Sequence, residues 1–329
     1  MTIDTERLLG MYRDMLRIRA FETKISDASI PAGVLNGNYH TCIGQEAVAV
    51  GVCAALGKQD FLTSTHRGHG HCIARGANVR KMMAELLGKE AGYCHGRGGS
   101  LHVADVELGI MGANGIVGGG IPLATGSALA SQIMGKAEIT AAFFGDGASN
   151  EGTFHESLNL AAAWRLPVVY VCENNEYGCK TQINEVINTH GILERAAGYG
   201  IPGWSTDGND VADVYETMRK AAAFTRQGNG PSMIECHTFR RMPHNSSEPE
   251  TRPQELMDFW SSETKDALLR THRRLLDAGI EARVLDELRA GAQEEMEQAF
   301  AFAMECRYPD PGCVTDNVYA MDNERCVAR

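Results

Sequence analysis

Apolar residues recur near a 3.6-residue spacing over residues 6–25 (Leu8, Met11, Met15, Ile18, Phe21), which predicts an amphipathic helix with Thr5 placed to cap it. A different pattern occupies residues 139–178. Two unbroken apolar runs, ITAAFF and PVVYVC, flank a helical segment, LNLAAAWRL. Such runs read as strands buried on both faces. The first ends in Gly145-Asp146-Gly147 and the second in Asn174-Asn175, so the stretch reads as strand, turn, helix, strand, turn. Elsewhere the pattern predicts helices over residues 45–56, 79–87, 122–134, 192–199 and 211–226, and strands over 60–64, 203–206 and 231–239. Two more helices are expected over 254–278 and 281–304. Strands alternating with helices imply an α/β fold with a central, mainly parallel sheet. The Ala-rich helix at 122–134 is small-faced enough for close packing at a subunit contact. The expected organisation is a single domain over residues 1–329, with an N-terminal helix (about 5–25) and a helical C-terminal region (about 254–304). No internal repeat or interdomain linker is visible. The last residues, 307–329, carry no periodicity and are expected to order only against a partner.

Composition narrows this picture. Hydrophobic content of 43% and charged content of 22% are those of a globular protein. A net charge of −11 argues against nucleic acid as a partner, which would call for a basic footprint. No apolar run approaches the ~20 residues of a membrane span, and the charged N-terminus is not a secretory signal. The ten cysteines are scattered without a CxxC pair, which fits a reduced, cytoplasmic compartment and makes a zinc cluster unexpected.

The turns carry the candidate chemistry. If the two apolar runs are parallel neighbours, Asp146 and Asn175 emerge at the same carboxyl edge, where open α/β sheets place ligands. A carboxylate and an amide oxygen are hard donors that suit Mg²⁺ sharing its shell with water and phosphate. Gly145 and Gly147 permit close approach of backbone, and a helix N-terminus following the turn favours an anion. Either turn alone is ordinary; the two at this spacing around one βαβ unit point to a Mg²⁺-diphosphate site. After the short strand at 60–64 comes Thr65-His66-Arg67-Gly68-His69-Gly70-His71. No nearby carboxylate completes a zinc set, so Arg67 is read as a fork donor to phosphate, while His71 is as well explained by structure as by function. Residues 88–120 form a glycine-rich loop of a length uncommon without function. Its His95, Arg97 and His102 fit either substrate-side polar groups or loop packing.

GDG followed after about thirty residues by NN is the thiamine-diphosphate fingerprint. GDGASNEG, LNLAAAWRLPVVYVCENNEYG and NGIVGGGIPLATG together resemble alpha subunits of the 2-oxo acid dehydrogenase first component, of the pyruvate, branched-chain and acetoin types. The likeness spans residues 6–249. It implies the thiamine-diphosphate-binding fold, with thiamine diphosphate and Mg²⁺ as cofactors. Asp146, Asn175 and the carbonyl of Tyr177 are then the metal ligands. Gly147, Ala148, His66, Arg67 and His244 are implied at the diphosphate, and Gly115 and Val117 at the rings of the cofactor. His244 and His69 are the implied catalytic candidates, His69 facing the substrate. Asn245 and Glu248 depart from the family's Ser and Asp in the 240–253 loop. The implied reaction is cleavage of the C–C bond of a small 2-oxo acid or acetoin, with the acyl group passed to lipoamide. A chain with room for one such sheet implies a beta subunit in an α₂β₂ heterotetramer, and a lipoyl acyltransferase as a further partner. THRGHGHC resembles the acetoin-type subunits more than the pyruvate type. The alternatives are the amino-terminal half of a split transketolase and a non-catalytic scaffold of the same fold.

Overall fold

A computed structural model of the chain describes residues 3–31 and 33–316. In chain order its helices are α1 (Thr5–Ile25), α2 (Glu46–Ala55), α3 (His69–Ala74), α4 (Val79–Leu86), α5 (Gly120–Ile133), α6 (Gly152–Trp164), α7 (Leu193–Ala197), α8 (Val211–Phe224), α9 (Gln254–Ser261), α10 (Ala267–Asp277) and α11 (Ala282–Glu305). Its strands are β1 (Phe61–Thr63), β2 (Thr140–Gly145), β3 (Val168–Asn174), β4 (Tyr177–Gly178), β5 (Thr181–Gln182), β6 (Gly203–Asp207) and β7 (Ser232–His237).

Five strands form one parallel sheet in the order β1-β2-β3-β7-β6, as the alternating pattern predicts; β4 and β5 pair as a separate antiparallel hairpin. The central strands are buried on both faces because their side chains alternate between two cores. Ala141 and Phe143 of β2, with Val169 and Val171 of β3, point into the larger core under α1, α2, α4, α8, α10 and α11. Ala142 and Phe144, with Val168, Tyr170 and Cys172, point into the smaller core under α5, α6 and α7.

The helices differ from their expected limits where local chemistry decides the end. Asp4, not Thr5, caps α1, its carboxylate accepting from the Arg7 amide at 2.7 Å. The single helix expected over 254–278 is two: α9 ends at Ser261, and Asp266 caps α10 by accepting from the amides of Leu268 and Leu269. Asp266 also pairs with Arg19 and Arg241, so the break lets one carboxylate serve a cap and two guanidinium groups. The short α3 was not expected; it begins inside the histidine-rich stretch.

The glycine-rich loop is ordered by one side chain. The fully buried Glu85 of α4 accepts four backbone N–H bonds: from Cys94 and Gly96 at one oxygen, and from Gly98 and Gly99 at the other (2.7–3.0 Å). Four charge-assisted bonds offset the cost of burying the carboxylate. Residues 307–316 lie against this loop, where the Glu90 amide donates to the Arg307 carbonyl and Lys89 sits 3.7 Å from the Tyr308 ring centroid. The remainder of the expected partner-ordered tail, residues 317–329, lies outside the described residues.

Candidate active site

β2 and β3 are parallel neighbours, and the register sets Gly145 beside Glu173. The two turns therefore leave the same carboxyl edge of the sheet. They meet closely: a Cβ on Gly147 would stand 3.1 Å from the Gly178 Cα. Glycine at both positions is what allows the Asp146 turn and the Asn175–Tyr177 turn to touch. The expected helix after the first turn starts later than the pattern suggests, since a 3₁₀ turn (Asp146–Asn150) precedes α6.

At this edge lies a cleft of about 300 Å³. Asp146, Gly147 and Ala148 line it on one side, and Asn175 and Tyr177 on another. His66 and Arg67, from the loop after β1, line it together with His244 and Val117. Gly115 does not line the cleft, although its neighbours Asn114 and Ile116 do; a Cβ there would meet the His102 Nε2 at 3.2 Å. A larger groove, of about 980 Å³, runs between α1 and the C-terminal helices, but it holds none of the predicted site residues.

Asp146 is 1% exposed. Its Oδ2 is buried and has no hydrogen-bond partner among the described residues. Burial raises its pKa to about 6, against the opposing pull of backbone N–H groups at Asp146, Asn175 and Gly147. A buried carboxylate oxygen left unbonded is costly and suits a cation. Asn175 donates its amide to the Gln45 Oε1 at 2.9 Å, which turns its own Oδ1 toward the Tyr177 amide (3.3 Å). Gln45, from the sequence GQEA, thus orients a predicted metal ligand.

Arg67 is buried beside the cleft. It donates to the Thr41 carbonyl (2.9 Å), the His244 carbonyl (2.7 Å) and the His244 Nδ1 (3.1 Å). Burial and the Arg240 charge lower its pKa to about 9. His66 and His244 pack with His40, which the sequence did not single out, in a cluster with ring centroids 4.9–5.6 Å apart. Burial first, then the Arg67 charge, holds all three imidazoles neutral, at about 3 for His40, about 2 for His66 and about 4 for His244.

His69 corrects an expectation. It does not face the cleft: the ring is fully buried, between Glu22 (3.0 Å) and the Ser100 hydroxyl (2.9 Å), edge-on to Phe21. Glu22 also accepts from the Cys42 amide at 3.0 Å, so the pair anchors the segment that carries His40 and Thr41. His71 is likewise internal, stacked on Phe143 and bonded to Ser64 and Glu173. His95 pairs with Glu90, Arg97 reaches the Asp316 carbonyl, and His102 lies under Gly115; none of the three lines the cleft. Sequence reasoning also passed over Arg240. Its guanidinium bridges the Cys179 and Met242 carbonyls, joining the β4–β5 hairpin to the His244 loop.

A family profile described as the dehydrogenase E1 component matches residues 13–312. The alpha subunit of acetoin:2,6-dichlorophenolindophenol oxidoreductase from Bacillus subtilis (strain 168) is 44% identical, over 97% of this chain and 95% of its own. The protein of the same description from Cupriavidus necator is 42% identical over 96% and 95%. The pyruvate dehydrogenase E1 component subunit alpha from Zymomonas mobilis is 39% identical over 93% and 86%. The parallel sheet, the two turns at its edge and these full-length likenesses agree, and the chain belongs to the dehydrogenase E1 component family, on its alpha-subunit side.

Proposed function

We propose that this chain is the alpha subunit of a thiamine-diphosphate- and Mg²⁺-dependent oxidoreductase that cleaves acetoin or a small 2-oxo acid and passes the acyl group to lipoamide. The observation that carries the reading is the buried, unpartnered oxygen of Asp146, a residue that lines the cleft together with Asn175 and Tyr177. These are oxygen donors, as Mg²⁺ requires, and Asp146, Asn175 and the Tyr177 carbonyl would hold the ion. Thiamine diphosphate, when bound, supplies the electron sink for cleavage beside a carbonyl. The chain's own residues bind and orient. Gly147 brings backbone close to the diphosphate, His66, Arg67 and His244 supply donors to it, and Val117, with Gly115 in the turn behind it, stands at the ring end. Arg67 also bonds the His244 carbonyl, which ties the His244 loop to the Arg67 turn.

A second chain completes the site. Ile116 and Val117 at the cleft are 71% and 47% exposed, and α5 and α6 present Leu123, Ile133, Leu160 and Trp164 to solvent. The surface begins at the cleft with Ile116 and Val117 and runs along α5 and α6 to Ile133 and Trp164 at their far ends, and an exposed apolar surface of this kind marks a protein interface. A beta subunit is its occupant in an α₂β₂ assembly, with a lipoyl acyltransferase as the acceptor component. Acetoin is favoured over pyruvate as donor by the acetoin-type relatives and the THRGHGHC stretch. A split transketolase half is disfavoured, because the dehydrogenase family spans residues 13–312.

Two measurements test this. Asp146→Ala is expected to abolish Mg²⁺-dependent binding of thiamine diphosphate in calorimetry; unchanged affinity refutes the site. Co-purified with a beta-type chain, the protein is expected to reduce dichlorophenolindophenol with acetoin or pyruvate, and the chain alone is not. Turnover by the chain alone overturns the shared-site reading.

A further inference from the structure

The His40, His66 and His244 side chains each offer a ring nitrogen within 4.8 Å of the others. Three imidazoles and a guanidinium so close cannot all carry charge, since like charges at this distance in a partly buried site disfavour ionisation. The Arg67 guanidinium is the permanent charge; the rings therefore stay neutral while no anion is near. The His40 Nδ1 is buried and has no hydrogen-bond partner among the described residues, an uncommon state for a polar atom. His40 reaches this position on the segment that Glu22 anchors through the Cys42 amide.

We propose that the His40–His66–His244 cluster takes up a proton when a diphosphate binds beside it, with His66 and His244 lining the cleft and His40, which does not line it, sharing the proton through the cluster. The inference rests on the cofactor reading above and adds to it a residue and a proton. An anion brought against the rings reverses the sign of the local potential, so the charged form of one imidazole becomes the favoured one. The proton comes from solvent, and no bond is made or broken other than N–H. Other groups around the cluster are accounted for. Arg67, Arg240, Lys180 and His69 oppose protonation, and Glu248 favours it at His244. Asp146 and Glu173 line the same cleft. Asp146 would be balanced by the Mg²⁺, and Glu173 accepts from His71. The incoming diphosphate is then the one new negative charge the cluster meets. With the rings neutral beforehand, uptake of one proton by the cluster contributes up to about tenfold in affinity per pH unit lowered, against which Asp146, raised to about 6 and losing its proton to Mg²⁺, acts alike whether or not His40 is present.

The test is calorimetry of Mg²⁺-thiamine diphosphate binding to the full chain in two buffers of different ionisation enthalpy, for wild type and His40→Asn. Protons gained or lost by the cofactor itself cancel between the two proteins. Wild type is expected to take up more protons than the variant, so that the ratio of wild-type to variant affinity rises from about pH 8 to about pH 6. Binding with equal proton counts in both proteins overturns the inference and leaves the cofactor reading standing; no binding by wild type overturns the cofactor reading instead. Histidine-selective NMR of the wild type gives a second measurement, independent of whether the variant binds. A ring-carbon resonance is expected to move to the imidazolium position on cofactor addition at pH 7, and its absence also refutes the inference.

Discussion

Asn174 and Asn175 are adjacent and do different work. Asn174 ends β3, donates its amide to the buried Glu235 at 2.7 Å and accepts the Thr238 amide at its carbonyl. Asn175 turns the other way, to Gln45 and the cleft. Asn174→Asp sets a second carboxylate against Glu235 and is expected to destabilise the fold by about 3 kcal/mol, read as a fall in Tm. Asn175→Ala is expected to leave the Tm within a few degrees while weakening Mg²⁺-dependent cofactor binding at least tenfold by calorimetry. The imidazole cluster sets a pH dependence of its own. Its pKa values are depressed in the fold, so below the ordinary histidine range near 6.5 the unfolded chain binds protons that the native cluster refuses. That stability is present above about pH 6.5 and is lost as the pH falls toward the native value of about 4 at His244. Thermal melts of the cofactor-free chain between pH 7.5 and pH 5 are expected to show it, and His244→Asn to flatten it. That Asp146, Asn175 and Arg67 meet at one cleft was legible in the sequence because their turns bear short fixed motifs. His40 was not, because its place is set by packing between distant segments. His69 was misread for a related reason: next to Arg67 in sequence, it starts α3 and so faces the core, toward Glu22.

At the scale of elements, the βαβ unit from β2 to β3 was readable because a strand buried on both faces leaves an unbroken apolar run. The order of the glycine-rich loop was not readable, since its anchor is a lone glutamate in α4 that sequence pattern gives no reason to select. Glu85→Ala removes the acceptor of four backbone N–H groups, and the loss is expected to be about 3 kcal/mol or more. Limited proteolysis between residues 94 and 99 checks it, with cleavage expected in the variant and resistance in wild type. The break between α9 and α10 also escaped the pattern, because no glycine or proline marks it; an acidic cap shared with two arginines does.

For the whole molecule, two cores of unequal size divide the labour. The larger seals α1 and the C-terminal helices against the sheet, and the smaller leaves the outer faces of α5 and α6 uncovered. The Ala-rich pattern of residues 122–134 made the α5 helix legible, but not that α6 adds Leu160 and Trp164 to the exposed apolar surface. Leu123→Asp combined with Trp164→Glu is expected to lower the affinity for a beta-type chain at least tenfold, measured by sedimentation, with the Tm of the isolated chain unchanged. Among the described residues, no helix is long and apolar enough to cross a membrane.

Glu85 has a consequence for how the chain tolerates change. A carboxylate that grips only main-chain N–H groups is indifferent to the side chains it orders. His95, Gly96 and Gly99 all adopt positive φ, and Gly96 is held also by the Gly88 backbone, whereas Arg97 directs its side chain elsewhere. The segment is therefore permissive in spelling at residue 97 and strict in length. Exchanges at residue 97 should pass unnoticed, while a single inserted residue would shift the N–H groups out of step with both oxygens. That makes residue 97 a place to attach a reporter by substitution, never by extension.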